Sequence, residues 1–191
     1  MNKDRVEQYS YWAKREVKTY AVLYNGAKSL LEVGKEIERG SLYQVMASLI
    51  FSAFTIEGWL NHLGKKKIKY WEEIEKRVSV KSKLMILCDH LKIKHDPSKR
   101  PIQTITKLFH FRDFMAHART ETLEKEGLLK ANPRLRKTLI ETDWEKYCTT
   151  ENAERSLTDV RKIIEELGEA AGEKYPVAWL GSEEHVISPA T

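Results

Sequence analysis

The chain contains few of the residues that interrupt helices or form covalent cross-links. Its 191 residues include only nine glycines, five prolines and two cysteines. So little glycine and proline argues against an all-β fold rich in turns. Because Cys88 and Cys148 lie far apart and form no CxxC pair, the sequence predicts neither a disulfide framework nor a thiolate zinc site.

Long apolar segments and common catalytic motifs are also absent. No stretch approaches the roughly 18 unbroken apolar residues of a membrane-spanning helix, and the first residues, MNKDRVEQYS, contain no apolar signal segment. We therefore predict a cytoplasmic protein with no membrane partner. The sequence contains no GxSxG, Walker or GxGxxG motif, so it shows none of the usual nucleophile or phosphate-binding loops.

Charge, in contrast, is plentiful and slightly positive. Charged residues make up 32% of the chain and give a formal net charge of +5. A mild positive excess suits a polyanionic partner such as RNA but does not require one. Apolar residues make up 41% of the chain, which is enough for a sizeable core at this length and favours one folded domain.

Apolar residues recur at three- and four-residue steps in five segments, which predicts five main helices. We expect these helices over 3–38, 42–63, 83–93 and 101–119, with a last one beginning near Thr150. For the helix ends, we expect Ser41 and either Ser79 or Ser82 as N-caps, and Gly64 as the end of the second helix. The sequence contains no alternating strand pattern and no hairpin signal.

These patterns predict an all-α, up-down helical bundle. We place a single helical domain at 1–172, with its core at about 40–170 and the helix 3–38 as an extension. Residues 120–141 lack a clean periodicity and are predicted to form a long loop with partial helix. Residues 173–191 are predicted to form a poorly packed tail.

The fourth predicted helix carries a concentration of polar residues at its end, where residues 110–119 read HFRDFMAHAR. At about 100° per residue, His110, Asp113 and His117 share one stripe. Arg112 lies about 160° away, among apolar neighbours. Because an unpaired buried charge is costly, Arg112 is expected to find an anionic partner, to reach water, or to meet a ligand such as phosphate at an interface.

The same residues allow simpler explanations and a metal site. Taken singly, an arginine on a helix usually reaches the surface, and a histidine is usually solvated or satisfied in the core. His110, Asp113 and His117 could also serve as three metal ligands. Helical histidine pairs bind metal best at a spacing of four, whereas this spacing is seven. No second acidic cluster completes the shell, so we predict no metal and no cofactor.

The stretch FRDFMAHAR resembles the signature of the HEPN superfamily, an all-helical group that includes many prokaryotic ribonucleases and toxin components. That signature is an arginine followed by a polar residue, with a histidine after four to six intervening residues. Arg112, Asp113 and His117 match it with four residues between arginine and histidine. The segment ASLIFSAFTIEGWLNHLG contains Glu57 and Asn61, in the Glu-then-Asn order often seen in HEPN proteins.

The resemblance covers roughly residues 40–170 and implies a metal-independent endoribonuclease with a HEPN-like fold. In such an enzyme the 2′-OH of RNA attacks the adjacent phosphorus and leaves a 2′,3′-cyclic phosphate. His117 would transfer a proton near neutral pH, and Arg112 would stabilise the charge that grows on the phosphate. Asp113 would orient His117 or hold Arg112. The resemblance also implies a homodimer with two motif helices facing one cleft.

The resemblance further implies a toxin–antitoxin or phage-defence setting, with a minimal nucleotidyltransferase as the antitoxin partner. The alternative function is a non-catalytic HEPN module that binds RNA or such a partner protein through the same helix. A plain helical scaffold protein is a third interpretation.

Several other residues are candidates for supporting roles. His110 lies on the polar stripe, and Glu57 and Asn61 either support the motif helix by hydrogen bonding or form an ordinary surface pair one turn apart. A basic patch beside Tyr70 and Trp71 either binds the RNA backbone or is a solvated connector. The patch consists of Lys65, Lys66, Lys67 and Lys69. The remaining tryptophans that we considered are predicted to pack; they are Trp12, Trp59, Trp144 and Trp179.

Overall fold

The computed structural model describes residues 9–37, 40–124, 140–174 and 183–189, and these are mainly helical. Five long helices and two short ones follow one another along the described chain. They are α1 (Thr19–Glu36), α2 (Ser41–Lys67), α3 (Trp71–Ile74), α4 (Val80–His90), α5 (Ile102–Ala116), α6 (Asp143–Tyr147) and α7 (Thr150–Ala170). The all-α prediction is confirmed, and the five long helices correspond to the five that the apolar periodicity indicates.

Two strands accompany the helices. β1 (Tyr9–Arg15) and β2 (Glu183–Pro189) pair antiparallel, with Trp12 opposite Val186. The predicted helix over 3–38 is therefore wrong for residues 9–15, and the expectation that no strands pair is wrong as well. Aromatic residues favour strands, but the partner strand comes from the predicted tail, so no local pattern announces the pairing. Trp12, which we expected to pack, is 52% exposed.

α2 is the central helix and packs against α1, α4, α5 and α7. It begins after Gly40, which adopts a left-handed φ of 87°, so Ser41 is its first residue and not its cap. The helix also continues past Gly64 to Lys67. Gly64 lies against the indole of Trp71, and a Cβ there would overlap the ring. This glycine therefore serves close packing and does not end the helix.

Side-chain hydroxyl groups cap α4, α6 and α7. The hydroxyl of Ser79 accepts a hydrogen bond from the backbone N–H of Ser82 at 3.1 Å, which makes Ser79 the cap of α4. Thr149 accepts from the N–H of Asn152 at 3.2 Å and caps α7, so the predicted start near Thr150 is confirmed. α6, which we did not predict, is held by a capping box between Thr142 and Glu145.

One continuous apolar core joins the helices. α2 and α7 supply most of its fully buried side chains; those of α7 include Val160, Ile163, Ile164 and Leu167. Within the described ranges, no helix combines the length and the apolar character needed to cross a membrane.

A bidentate ion pair fixes the start of α5 to α7. Arg100 donates from Nε to Oδ2 of Asp159 at 2.8 Å and from Nη2 to Oδ1 at 2.9 Å. The Asp159 side chain is only 4% exposed, whereas that of Arg100 is 52% exposed. Two parallel charge-assisted hydrogen bonds of this kind are strong and geometrically specific.

An aromatic cluster joins α1 to α2. The ring centroids of Tyr20 and Trp59 are 5.1 Å apart, and Trp59 stacks on His62 at 5.7 Å. Burial lowers the pKa of His62, and the nearby Lys66 lowers it further. Burial also raises the pKa of Tyr20 to about 12. Both shifts favour the neutral side chain, as expected for ionisable groups inside a core.

Candidate functional site

The motif identified in the sequence occupies the last turns of α5. Arg112 and Asp113 are helical, but the helix ends at Ala116. His117 is the C-cap residue, with φ −119° and ψ 34°, and its backbone N–H donates to the carbonyl of Asp113 at 3.1 Å. The predicted helix over 101–119 is therefore too long at its end. His117 leaves the helical stripe, and its exposed side chain forms no hydrogen bond or ion pair with a described residue.

Arg112 is mostly buried and is held by two carboxylates. Its side chain is 22% exposed, and its Nη2 donates to Oε2 of Glu57 at 3.1 Å. Its Nη1 lies 3.1 Å from Oδ1 of Asp113. The guanidinium carbon also lies 5.0 Å from the ring centroid of Phe109. Three outcomes were expected for Arg112, and the structure shows the first of them: the guanidinium has an anionic partner. The carboxylate of Asp113 contacts Arg112 and makes no hydrogen bond with the imidazole of His117.

Lys83 of α4 completes a group of charges that sequence reasoning missed. Its side chain is 3% exposed, and its Nζ lies 3.4 Å from Oε1 of Glu57. A signal was present in the sequence, because Lys83 shares the apolar stripe of α4 with Val80, Leu84 and Leu87. A lysine on such a stripe must find a buried partner or bend towards water.

We call Glu57, Lys83, Arg112 and Asp113 the charge cluster. Its four charges balance formally, and they join α2, α4 and α5. Glu57 is at its centre, because each of its carboxylate oxygens contacts a different cation. The cluster therefore fixes the end of α5 against the central helix and sets the position of the Arg112 guanidinium.

The charge cluster leaves hydrogen-bonding groups unused. Nε of Arg112 is buried without a partner among the described residues, and so is Oδ1 of Asn61, one helical turn beyond Glu57. An unsatisfied buried polar group costs about 1–3 kcal/mol. A bound polar ligand or an ordered water would relieve the cost of each of these two unpaired atoms.

His110 lies in a different environment. It is exposed and lines a cavity of about 500 Å³ together with Trp144 and Tyr147, and no member of the charge cluster lines that cavity. The predicted polar stripe is thus divided: Asp113 turns to Arg112, His110 faces the cavity, and His117 follows the end of the helix. Within the part of the chain that the structure describes, no group of three His, Cys, Asp or Glu side chains is arranged to hold a metal ion.

The basic patch after α2 is partly neutralised by carboxylates. Lys65 forms an ion pair with Glu72, and Nζ of Lys66 lies 3.1 Å from a carboxylate oxygen of Glu173. Beyond the helix, Nζ of Lys69 lies 4.8 Å from the ring centroid of Tyr70. These contacts leave less free positive charge than the run of lysines suggests.

The aromatic residues beside this patch separate into two roles. Trp71 is buried under the end of α2, whereas Tyr70 is exposed. Lys67 closes the last turn of α2, next to the carbonyl groups at the helix end, where a positive charge is favourable. The connector is therefore anchored by one aromatic ring and presents the other to the surface.

No family model matches this chain, and comparisons with curated proteins and with solved structures also give no match. The resemblance to HEPN proteins stays a prediction that depends on the residues of α2, α5 and His117.

Proposed function

We propose that this protein is a HEPN-type, metal-independent endoribonuclease in which Arg112 and His117 act on one phosphodiester. The observation that carries the proposal is the fixed, mostly buried guanidinium of Arg112. Glu57 holds it from a second helix, and its Nε has no protein partner in the described chain. A cation positioned before substrate arrives can stabilise transition-state charge without further rearrangement.

The proposed reaction needs one proton acceptor, one proton donor and one cation. The 2′-oxygen bonds to phosphorus while the bond between phosphorus and the 5′-oxygen breaks. A neutral His117 imidazole accepts the proton of the 2′-OH, and a protonated imidazole supplies the proton for the departing 5′-oxygen. The products are a 2′,3′-cyclic phosphate and a 5′-OH. Arg112 stabilises the negative charge that accumulates on the non-bridging oxygens.

A homodimer belongs to the proposal, because the second imidazole would be His117 of another copy. The surface of α2 supports this arrangement. Phe54 is 41% exposed and lies three and seven residues before Glu57 and Asn61, on the same helical face. Exposed aromatic side chains are enriched where proteins associate. An interface over this face would bring two charge clusters towards each other.

A second function is favoured by one specific observation. Glu57 and Asp113 already neutralise Arg112, so a phosphate would have to compete with two carboxylates. A non-catalytic HEPN module would use the same surface to bind RNA or a partner protein, such as a minimal nucleotidyltransferase. For either function we propose a cytoplasmic protein of a toxin–antitoxin or phage-defence system.

The test is cleavage of labelled single-stranded and structured RNA in the presence of EDTA. We expect the wild type to cleave and the products to carry 2′,3′-cyclic phosphates by mass spectrometry. Removal of the general acid–base in His117→Ala should slow cleavage by about 10²–10⁴-fold. Arg112→Ala should lower it by a similar factor, because the charge-stabilising cation is lost.

Two exposed residues provide matched controls for these variants. His90→Ala removes a histidine from the end of α4, and Arg119→Ala removes a cation two residues after the motif. Both variants should cleave at the wild-type rate. RNA binding without cleavage by the wild type would favour the non-catalytic module. Cleavage that persists in both Arg112→Ala and His117→Ala would contradict the assignment of these residues.

A further inference from the structure

Aromatic side chains contribute much of the lining of the cavity beside His110. It lies between α5, α6 and the segment that follows α5, and it has a volume of about 500 Å³. Four aromatic side chains line it: Phe111, Phe114, Trp144 and Tyr147. The rings of Phe111 and Tyr147 are 5.3 Å apart and tilted by 40°. We call this space the aromatic cavity; its volume lies within the range of small-ligand sites.

The polar groups of the aromatic cavity differ in how far they are already engaged. The hydroxyl of Thr106 donates to the carbonyl of Ile102 at 3.1 Å, and the carboxylate of Asp143 accepts from Lys146 at 2.8 Å. The imidazole of His110 forms no hydrogen bond or ion pair with a described residue. The carboxylate of Glu121 also lines the cavity and forms no hydrogen bond or ion pair with a described residue, so His110 and Glu121 are the groups free to hydrogen-bond the edge of a planar ligand lying on the aromatic rings.

A smaller recess of about 300 Å³ adjoins the aromatic cavity, since Lys107 and Tyr147 line both. We call it the cationic recess, because Arg100 and Arg155 also line it. The fork of Arg100 is engaged by Asp159, and Nη1 of Arg155 donates to Oδ1 of Asn152 at 3.1 Å.

Lys107 lies where the two spaces meet. It is exposed and forms no ion pair with a described residue. The carboxylates of Glu121 and Asp143 line the aromatic cavity, whereas Lys107 also lines the cationic recess. A cation without an ion pair beside aromatic rings attracts a ligand with both a flat ring and a negative charge. Nucleotides combine these two parts, and unpaired bases are recognised by stacking on aromatic side chains together with cations that follow the backbone.

We propose that the aromatic cavity binds one unpaired nucleobase of RNA and that Lys107 and Arg155 bind a phosphate of the same strand in the cationic recess. This inference rests on the proposed function, because RNA is its substrate, and it adds a subsite apart from the charge cluster. Bases inside a duplex are stacked and paired and cannot enter the cavity. The subsite would therefore select single-stranded segments near the end of α5.

The experiment measures equilibrium binding to the full-length His117→Ala protein, which the proposed function expects not to cleave. The probe is a fluorescently labelled single-stranded RNA of twelve nucleotides, read by anisotropy. In this background Trp144→Ala should weaken binding about tenfold, because stacking on an aromatic side chain is lost. Lys107→Gln should weaken binding several-fold and reduce the slope of log affinity against log salt by about 0.7, which corresponds to one phosphate contact on a single strand.

Matched controls separate this subsite from general effects. Trp12→Ala removes an exposed tryptophan on β1, and Lys81→Gln removes an exposed lysine on α4. Both should bind within twofold of the parent protein. A duplex of the same sequence should be insensitive to Trp144→Ala. If Trp144→Ala lowers the melting temperature, Trp144→Phe and Trp144→Leu replace it, and only the aromatic variant should retain affinity.

Unchanged affinity in both Trp144→Ala and Lys107→Gln would overturn the inference, and so would equal losses in the controls. Absence of any RNA binding would overturn it as well. The proposed function is tested separately, by measuring RNA cleavage by the wild type. A wild type that never cleaves but binds RNA through Trp144 and Lys107 would reject the catalytic proposal and retain the subsite.

Discussion

The two arginines at the ends of α5 meet their carboxylates in different ways. Arg100 uses two donors on the two oxygens of Asp159, at 2.8 and 2.9 Å. Arg112 shares Glu57 with Lys83, also contacts Asp113, and leaves Nε without a partner. In the Arg100–Asp159 pair, both carboxylate oxygens accept a hydrogen bond from within the fold. The Arg112 arrangement leaves one buried donor without a protein partner, which a bound ligand or an ordered water would satisfy.

The two sites also bury opposite charges. At the start of α5 the buried member is the carboxylate of Asp159, and its arginine is half exposed. In the charge cluster the most buried member is the cation Lys83, at 3% exposed, while Glu57 is 30% exposed. Removing one partner costs most when it leaves the other charge buried and uncompensated. We therefore expect the loss of stability to depend on which charge each substitution leaves buried.

The largest loss of stability is expected for Glu57→Gln. This change removes the carboxylate from two cations at once and leaves Lys83 buried without an anion. We expect the free energy of unfolding to fall by about 3–5 kcal/mol, measured by urea denaturation followed by circular dichroism. Adding Lys83→Met to the Glu57→Gln variant should recover part of the lost free energy of unfolding. This change replaces the unpaired buried cation by an apolar side chain of similar length.

A Glu57→Gln variant as stable as the wild type would show that Lys83 reaches water in solution. Glu151→Gln is the matched control, because this exposed carboxylate in the first turn of α7 forms no ion pair with a described residue. Loss of the Glu151 charge should lower the free energy of unfolding by less than about 1 kcal/mol.

At the start of α5, substitutions of Arg100 and of Asp159 should lower the free energy of unfolding by different amounts. Arg100→Gln leaves the buried Asp159 carboxylate unpaired and should lower the free energy of unfolding by about 3 kcal/mol. Asp159→Asn leaves an arginine that can turn to water, so its cost should be nearer to 1 kcal/mol. Urea denaturation of both variants measures the difference. Equal losses, or the opposite order, would contradict the expectation that the buried charge of Asp159 decides the cost.

A smaller effect on stability, but a clear effect on function, is expected for Asp113→Asn. Asp113 is 60% exposed, so loss of its ion pair with Arg112 should change the free energy of unfolding by less than about 1 kcal/mol. The substitution removes a negative charge beside the proposed phosphate site and should strengthen RNA binding. Anisotropy measures the affinity, and Asp89→Asn, an exposed carboxylate on α4, is the control. Weaker binding in Asp113→Asn would mean that this carboxylate assists the site.

Much of the fold follows from local patterns in the sequence. The five long helices were predictable from apolar periodicity, and Ser79 was one of the two caps considered for α4. β1 was not predictable in this way, because its partner comes from the other end of the chain. The contact between Arg112 and Glu57 depends on how α5 packs on α2, and helical periodicity contains no information about that packing.

The candidate site was predictable in part. The sequence indicated that Arg112 needs an anion, and Glu57 was among the supporting residues. Lys83 was missed although its place on an apolar stripe was visible. The position of His117 was predicted wrongly, because no glycine or proline marks the end of α5 at Ala116. The aromatic cavity combines α5 with α6, and it was not foreseen because α6 was not predicted.

The last expected effect lies away from both arginines and concerns the dependence of stability on pH. Burial holds the pKa of His62 below its ordinary value, so protons bind more readily to the unfolded chain, where the pKa is about 6.5. Stability should therefore be fully present above that pH and decline as the pH falls below it, by at most about 1.4 kcal/mol per pH unit.

Urea denaturation at pH 7.5, 6.5 and 5.5 measures this slope, and His62→Phe, which keeps a ring beside Trp59, should reduce it. His90→Gln, an exposed histidine, is the control and should leave the slope unchanged. A slope that survives in His62→Phe would contradict the assignment of this pH dependence to the buried imidazole of His62.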